Sequence, residues 1–72
     1  MPSSVISRFV YDQNERQLWV EFTTGRRYVY SEVPDEVATA FRLAFSKGVY
    51  FNTRIRDHFP YREITHQEES NS

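Results

Sequence analysis

The sequence predicts an α+β domain in which a three-stranded antiparallel sheet packs on two C-terminal helices, in the order β-β-β-α-α. Three observations predict it. Residues 17–22 alternate with period two, Leu18, Val20 and Phe22 against Trp19 and Glu21. Thr23-Thr24-Gly25 then separates that run from Tyr28-Val29-Tyr30, with a loop length and glycine position that suit a tight hairpin. After Pro34 the period lengthens to that of a helix, with Val37, Phe41, Ala44 and Phe45 on one stripe and Ala40 beside them. A sheet with one apolar face and helices with one apolar stripe bury each other as two layers.

Taken in order, residues 4–11 form the first strand, rich in β-formers (Val5, Ile6, Phe9, Val10, Tyr11). Strict alternation leaves both of its faces mixed. A bulge near Ser7-Arg8 would bring Ile6 onto the face of Phe9. The polar run 12–16 is a hairpin loop, since Asp and Asn favour turns. The second strand is 17–22. With Gly25 in the left-handed position of a three-residue loop, Val20 pairs with Tyr28 and Leu18 with Tyr30. Both tyrosines then share the face of Leu18, Val20 and Phe22, whereas a four-residue loop would turn them to the Trp19 face. The expected core is therefore Leu18, Val20, Phe22, Tyr28, Tyr30 and Phe41.

The third strand spans 27–31. Pro34 suits the first helical position, and Asp35 and Glu36 complement the positive end of the helix dipole. That helix should run to about Ser46 and end at Lys47-Gly48, with Gly48 in the left-handed capping position. Leu43 falls off the stripe. A second, shorter helix over 49–57 places Phe51 and Ile55 four apart. Residues 61–64 make an extended closing segment. Residues 1–65 form one domain, and 66–72, polar and without aromatics, a disordered tail.

With 72 residues and no cysteine, the chain has neither a disulfide nor a thiolate metal site to stabilise it. His58 and His66 are too few for a closed zinc site without carboxylate help. The compensation is aromatic, 17% of the chain, because large rings bury much area per residue. Met1-Pro2-Ser3-Ser4 lacks a basic-then-apolar leader, and no apolar run approaches ~18 residues. The expected location is cytoplasmic, and the expected state a monomer.

No enzyme motif appears. Two glycines cannot make a phosphate-cradling loop, and neither a zinc-protease motif nor a nucleophile elbow is present. His58 beside Asp57 reads as a surface histidine near a helix end. The expectation is a non-enzymatic domain without metal or cofactor. Charge is more informative. The net charge is −1, yet 41–62 carries five basic residues (Arg42, Lys47, Arg54, Arg56, Arg62) against one acid, Asp57. Basic residues interleaved with Tyr50, Phe51, His58, Phe59 and Tyr61 suit single-stranded nucleic acid, whose phosphates take charge and whose bases stack on rings. The same residues serve equally as a solvated helix face with a core stripe beneath it. Trp19, facing away from the core with Val29 beside it, is the other candidate contact surface.

The motifs resemble the KTSC family, a small bacterial domain named for its occurrence at the C-terminus of some lysyl-tRNA synthetases. The resemblance rests on Ser3-Ser4-x-Ile6, Tyr11-Asp12 and Leu18-x-Val20-x-Phe22-x-x-Gly25-x-x-Tyr28-x-Tyr30. It continues through Val33-Pro34, Ala44-x-Ser46-x-Gly48-x-Tyr50-Phe51-Asn52 and Ile55-Arg56. It draws attention to Ser46, Gly48, Tyr50, Asn52 and Arg56 around the junction between the helices. Ser46 has a capping role available there, and Asn52 and Arg56 are either structural or contacts for a phosphate or base. The resulting expectation is a small binding module that contacts RNA, single-stranded or tRNA, through Lys47, Tyr50, Asn52, Arg54, Arg56 and Arg62. The alternative is a protein-interaction or accessory domain with no nucleic-acid role.

Overall fold

The computed structural model describes residues 6–64. Its elements are β1 (Ile6–Asp12), β2 (Gln17–Phe22), β3 (Arg27–Tyr30), α1 (Asp35–Leu43) and α2 (Lys47–Tyr50). A π-helical segment (Phe51–Ile55) follows, and the last described element is β4 (Tyr61–Ile64). Residues 4 and 5 of the expected first strand, and the 66–72 tail, lie outside the described residues.

The sheet is antiparallel with strand order β1-β2-β3-β4. It has four strands, not three. The extended closing segment pairs with β3, placing Tyr61 opposite Tyr30 and Glu63 opposite Tyr28. Four residues with one strong β-former at each end do not announce a strand by themselves; the open edge of β3 supplies the partner. Pro60 precedes the strand, where its missing N–H costs no ladder bond, and its carbonyl accepts the Ser31 N–H at 2.8 Å.

The hairpin arithmetic holds in the structure. Val20 faces Tyr28 and Leu18 faces Tyr30. The Phe22 N–H donates to Arg26 O, the Gly25 N–H donates to Phe22 O, both at 2.8 Å, and Gly25 sits at φ +95°. In β1 the register shifts between Ile6 and Arg8, which brings both Ile6 and Phe9 against the core.

The helical half departs from expectation. Pro34 is the residue before α1, in extended geometry, rather than its first helical residue. α1 ends at Leu43 because Ala44 turns extended, its N–H folding back to Phe41 O. Phe45 consequently leaves the stripe and stands fully exposed. Gly48 is not the end of α1 but a buried residue within α2. The reason is a competing start signal. The Ser46 hydroxyl accepts the Val49 N–H at 3.3 Å and opens α2 two residues before glycine is reached. Lys47 Nζ donates to the Ala44 carbonyl at 3.1 Å, satisfying an acceptor near the end of α1. α2 then widens, with the Arg56 N–H reaching Phe51 O at 2.8 Å, five residues back.

The core lies between the sheet and these helices. Leu18, Val20, Tyr30, Val33, Phe41, Phe51 and Ile55 are buried there, with Phe22 and Tyr28 half-buried against them. Phe41 is its centre, 4.5 Å from the Phe9 ring centroid and 6.0 Å from that of Tyr50. Tyr11 ties β1 to the start of α1: its hydroxyl donates to the Val33 carbonyl at 2.6 Å and lies 3.0 Å from Asp35 Oδ1.

Candidate functional site

Among the described residues, each face of the sheet carries a concave region. One lies on its uncovered face, the other on the helix side. The second is a cleft of about 370 Å³ bounded by the β2–β3 loop, the inner faces of β3 and β4, and the π-helical segment.

Strand alternation builds one wall of it. Tyr28 and Tyr30 point to the inner face, and the β4 pairing sets Tyr61 beside them. Tyr30 and Tyr61 stack with centroids 5.2 Å apart and planes at 25°, and Tyr28 lies 5.7 Å from Tyr61. Phe51 meets Tyr30 edge-on at 5.4 Å and fixes the floor. The opposite wall comes from the π-helical segment, where Asn52 and Arg56, four residues apart, share one side. Arg56 Nη1 donates to Asn52 Oδ1 at 3.2 Å, which steadies the guanidinium at the rim. Arg26 and Asp57 complete the lining.

Electrostatics follow from this packing. Burial, chiefly, and then the neighbouring Tyr61 push the Tyr30 hydroxyl up to about 12, while Arg56 pulls the other way. At neutral pH it is an O–H donor. Only 3% of Tyr30 is exposed, and among the described residues no group hydrogen-bonds its hydroxyl. Arg26 is held more basic than an ordinary arginine by a hydrogen bond to Tyr28 and by the Glu63 carboxylate at 4.0 Å.

The sequence-based candidates are distributed as follows. Asn52 and Arg56 line the cleft. Lys47 and Tyr50 sit on α2, engaged with Ala44 and Phe41 respectively. Arg54 is exposed but lies off the cleft, two residues round the turn from Asn52 and Arg56. Arg62 alternates with Tyr61 and falls on the other face of the sheet, in the row Val10, Trp19, Val29, Arg62. Residue reading named Tyr61 as a stacking ring, but it did not join Tyr61 with Arg26, Tyr28 and Tyr30 in one cleft. The signal for Tyr61 was its period-two spacing with Glu63, once residues 61–64 are taken as a strand.

On the uncovered face Trp19 is 38% exposed, as its alternation implies, but Val29 is only 2% exposed. Flanked by Trp19 and Arg62 in its row, Val29 offers no contact surface. The apolar neighbour open to contact is Val10. Arg8 pairs with Glu21 at 2.8 Å on the same face.

Chemically, the helix-side cleft is rich in donors: two guanidinium groups, the Asn52 amide and tyrosine hydroxyls, against the one carboxylate of Asp57. His58 does not line it. No cluster of three metal-ligating side chains occurs among the described residues. Among the described residues no helix is long and apolar enough to cross a membrane.

A family model described as the KTSC domain matches residues 2–59. A lysine–tRNA ligase of Nostoc punctiforme is 37% identical over 62 residues, which are 86% of this chain and 11% of the ligase. A second relative, an uncharacterized protein of Stutzerimonas stutzeri, is 37% identical over 65 residues, 89% of this chain and 92% of that one. Among solved structures, the crystal structure of a KTSC domain protein from Yersinia pestis superposes with a TM-score of 0.81 at 35% identity. That likeness covers 90% of this chain and 92% of the other. The chain thus spans about a tenth of the length of the ligases it matches, 11%, and nearly the full length of the free-standing relative, 92%.

Proposed function

The chain belongs to the KTSC domain family, and from that premise we propose that it is a non-catalytic module that binds single-stranded RNA in the helix-side cleft. The observation that carries the reading is the convergence of Arg26 and Arg56 with the exposed ring of Tyr61 on one concavity. Guanidinium groups neutralise phosphates, and a tyrosine face accepts a base of any identity. Relatives named as lysine–tRNA ligases place similar domains in proteins that handle tRNA, which supports the reading. Relative to the sequence expectation, the site keeps Asn52 and Arg56, leaves out Lys47, Arg54 and Arg62, and gains Arg26. The reading requires no cofactor and implies a cytoplasmic monomer.

A salt titration of binding to a short unstructured RNA tests it. Two engaged arginines predict a log–log slope of about −1.4, at ~0.7 per phosphate, and Arg56→Ala should shallow it by about half. Absence of binding at ~50 mM salt, where such contacts are strongest, would sink the reading.

The alternative, a protein-interaction domain, is favoured by the exposure of Val10 and Trp19 on the uncovered sheet face. Chemical-shift mapping separates the two. RNA-induced shifts at Tyr61 and Arg56 support the cleft, whereas shifts confined to Trp19 and Val10 move the contact to the other side of the sheet.

A further inference from the structure

We infer that the cleft recognises one nucleoside phosphate unit, a phosphate oxygen accepting the Tyr30 O–H beside Arg56 while the base lies on the Tyr61 ring. The inference rests on the RNA-binding reading for its choice of site, and it adds what the site takes and how.

The starting point is the Tyr30 hydroxyl. Tyr30 is 3% exposed and lines the cleft, yet no described residue hydrogen-bonds its oxygen. Folded proteins leave few buried polar groups unpaired, and each such group calls for a partner. Arg56 and Asp57 line the same cleft as Tyr30. The Tyr30 hydroxyl stays protonated far above neutral pH, so what it lacks is an acceptor.

The surrounding groups narrow that acceptor. Arg56 spends one N–H on Asn52 Oδ1, which leaves its other donors and the Asn52 amide nitrogen for a ligand. Arg26 lines the same cleft. A site of converging donors, two of them cationic, is complementary to an anionic oxygen group with several lone pairs, and phosphate answers that description. Asp57 is the exception in the lining, an acceptor suited to a ribose hydroxyl or an exocyclic amine.

Ring geometry supplies the other half. Tyr61 has one face stacked on Tyr30 at 5.2 Å, and it remains 56% exposed. It is a platform backed on one side and open on the other. A volume of about 370 Å³ holds one nucleotide rather than a run of them.

The test uses the full chain, titrated by NMR with 5′-AMP, adenosine and inorganic phosphate, in the wild type and in Tyr30→Phe. AMP should shift Tyr61 and Arg56, and adenosine and phosphate should each bind about tenfold more weakly, since each makes only half of the contacts. Tyr30→Phe should weaken AMP about tenfold and melt at or above the wild-type temperature, because it removes an unpaired buried hydroxyl. Equal AMP affinity in Tyr30→Phe overturns the inference. So does a lower melting temperature, which would reveal a structural partner for the hydroxyl. Phosphate binding as tightly as AMP overturns it too, since the ring would then contribute nothing. If short RNA binds and AMP does not, the single-nucleotide site falls while the RNA reading stands. If AMP binds and RNA does not, the site stands with a free nucleotide as its source, and the RNA reading falls.

Discussion

The ring of Tyr30 lies edge-on to Phe51 and stacked on Tyr61, at centroid distances of 5.4 and 5.2 Å, and the residue lines the cleft. Its place on the inner face was legible from the three-residue loop around Gly25. Its unpaired hydroxyl was not, because Arg56, Asp57 and Tyr61 come from 26–31 residues further along the chain. The raised pKa has a consequence with a definite sign. Between pH 10 and 12 the folded state keeps the Tyr30 proton, held to about 12, while the unfolded chain loses it near 10. Stability from this group is therefore complete below pH 10 and is lost as pH rises toward 12. The loss should reach roughly 2–3 kcal/mol, at 1.36 kcal/mol per pH interval of difference. Urea unfolding on either side of that window should show this drop in the wild type and not in Tyr30→Phe. Tyr11, also raised, titrates in both proteins and cancels in the difference.

At the scale of elements, the β2–β3 hairpin was readable because local rules determine it: a glycine at φ +95° sets the loop, and the loop sets the register. A Cβ at Gly25 would meet nothing within 4 Å, so the cost of a side chain there is purely conformational. Gly25→Ala should lower stability by about 1–2 kcal/mol, seen as an earlier urea midpoint with an unchanged slope. α1 was less legible. Its stripe would have continued through Ala44 and Phe45, but the Ser46 cap and the extended Ala44 divide the run into two helices. Where two helix signals compete, the winner is decided by which carbonyls and N–H groups find partners, and Lys47 and Ser46 settle that here. The π-helical widening has no local sequence mark, although it sets the Asn52–Arg56 side of the cleft.

For the whole molecule, a four-stranded sheet covered on one face must draw its cohesion from a small core. Phe41 is fully buried and contacts the rings of Phe9, Tyr50 and Phe51. Phe41→Ala should cost ~3–5 kcal/mol, comparable to the ~3–5 kcal/mol that a core of this size supplies. The variant should therefore lose its cooperative thermal transition and its dispersed amide spectrum. A well-folded Phe41→Ala would show that the helices are not held by this contact. The two faces of the sheet also separate the functional alternatives. Arg62 and Trp19 lie on one side, Arg56 and Tyr61 on the other, although 56, 61 and 62 are near neighbours in the chain.

By itself the sequence determined the α+β class, the first three strands, both hairpins and the inward facing of Tyr28 and Tyr30. Each of these follows from side-chain period or turn chemistry within about ten residues, the range over which backbone geometry is set locally. Only the tertiary structure decided that 61–64 is a fourth strand, that Phe45 leaves the core, and that Arg26, Arg56 and Tyr61 meet at one cleft. Those outcomes depend on which open strand edge and which unpaired polar groups a segment encounters after collapse. Such encounters between distant parts of the chain leave no periodic trace in the order of residues.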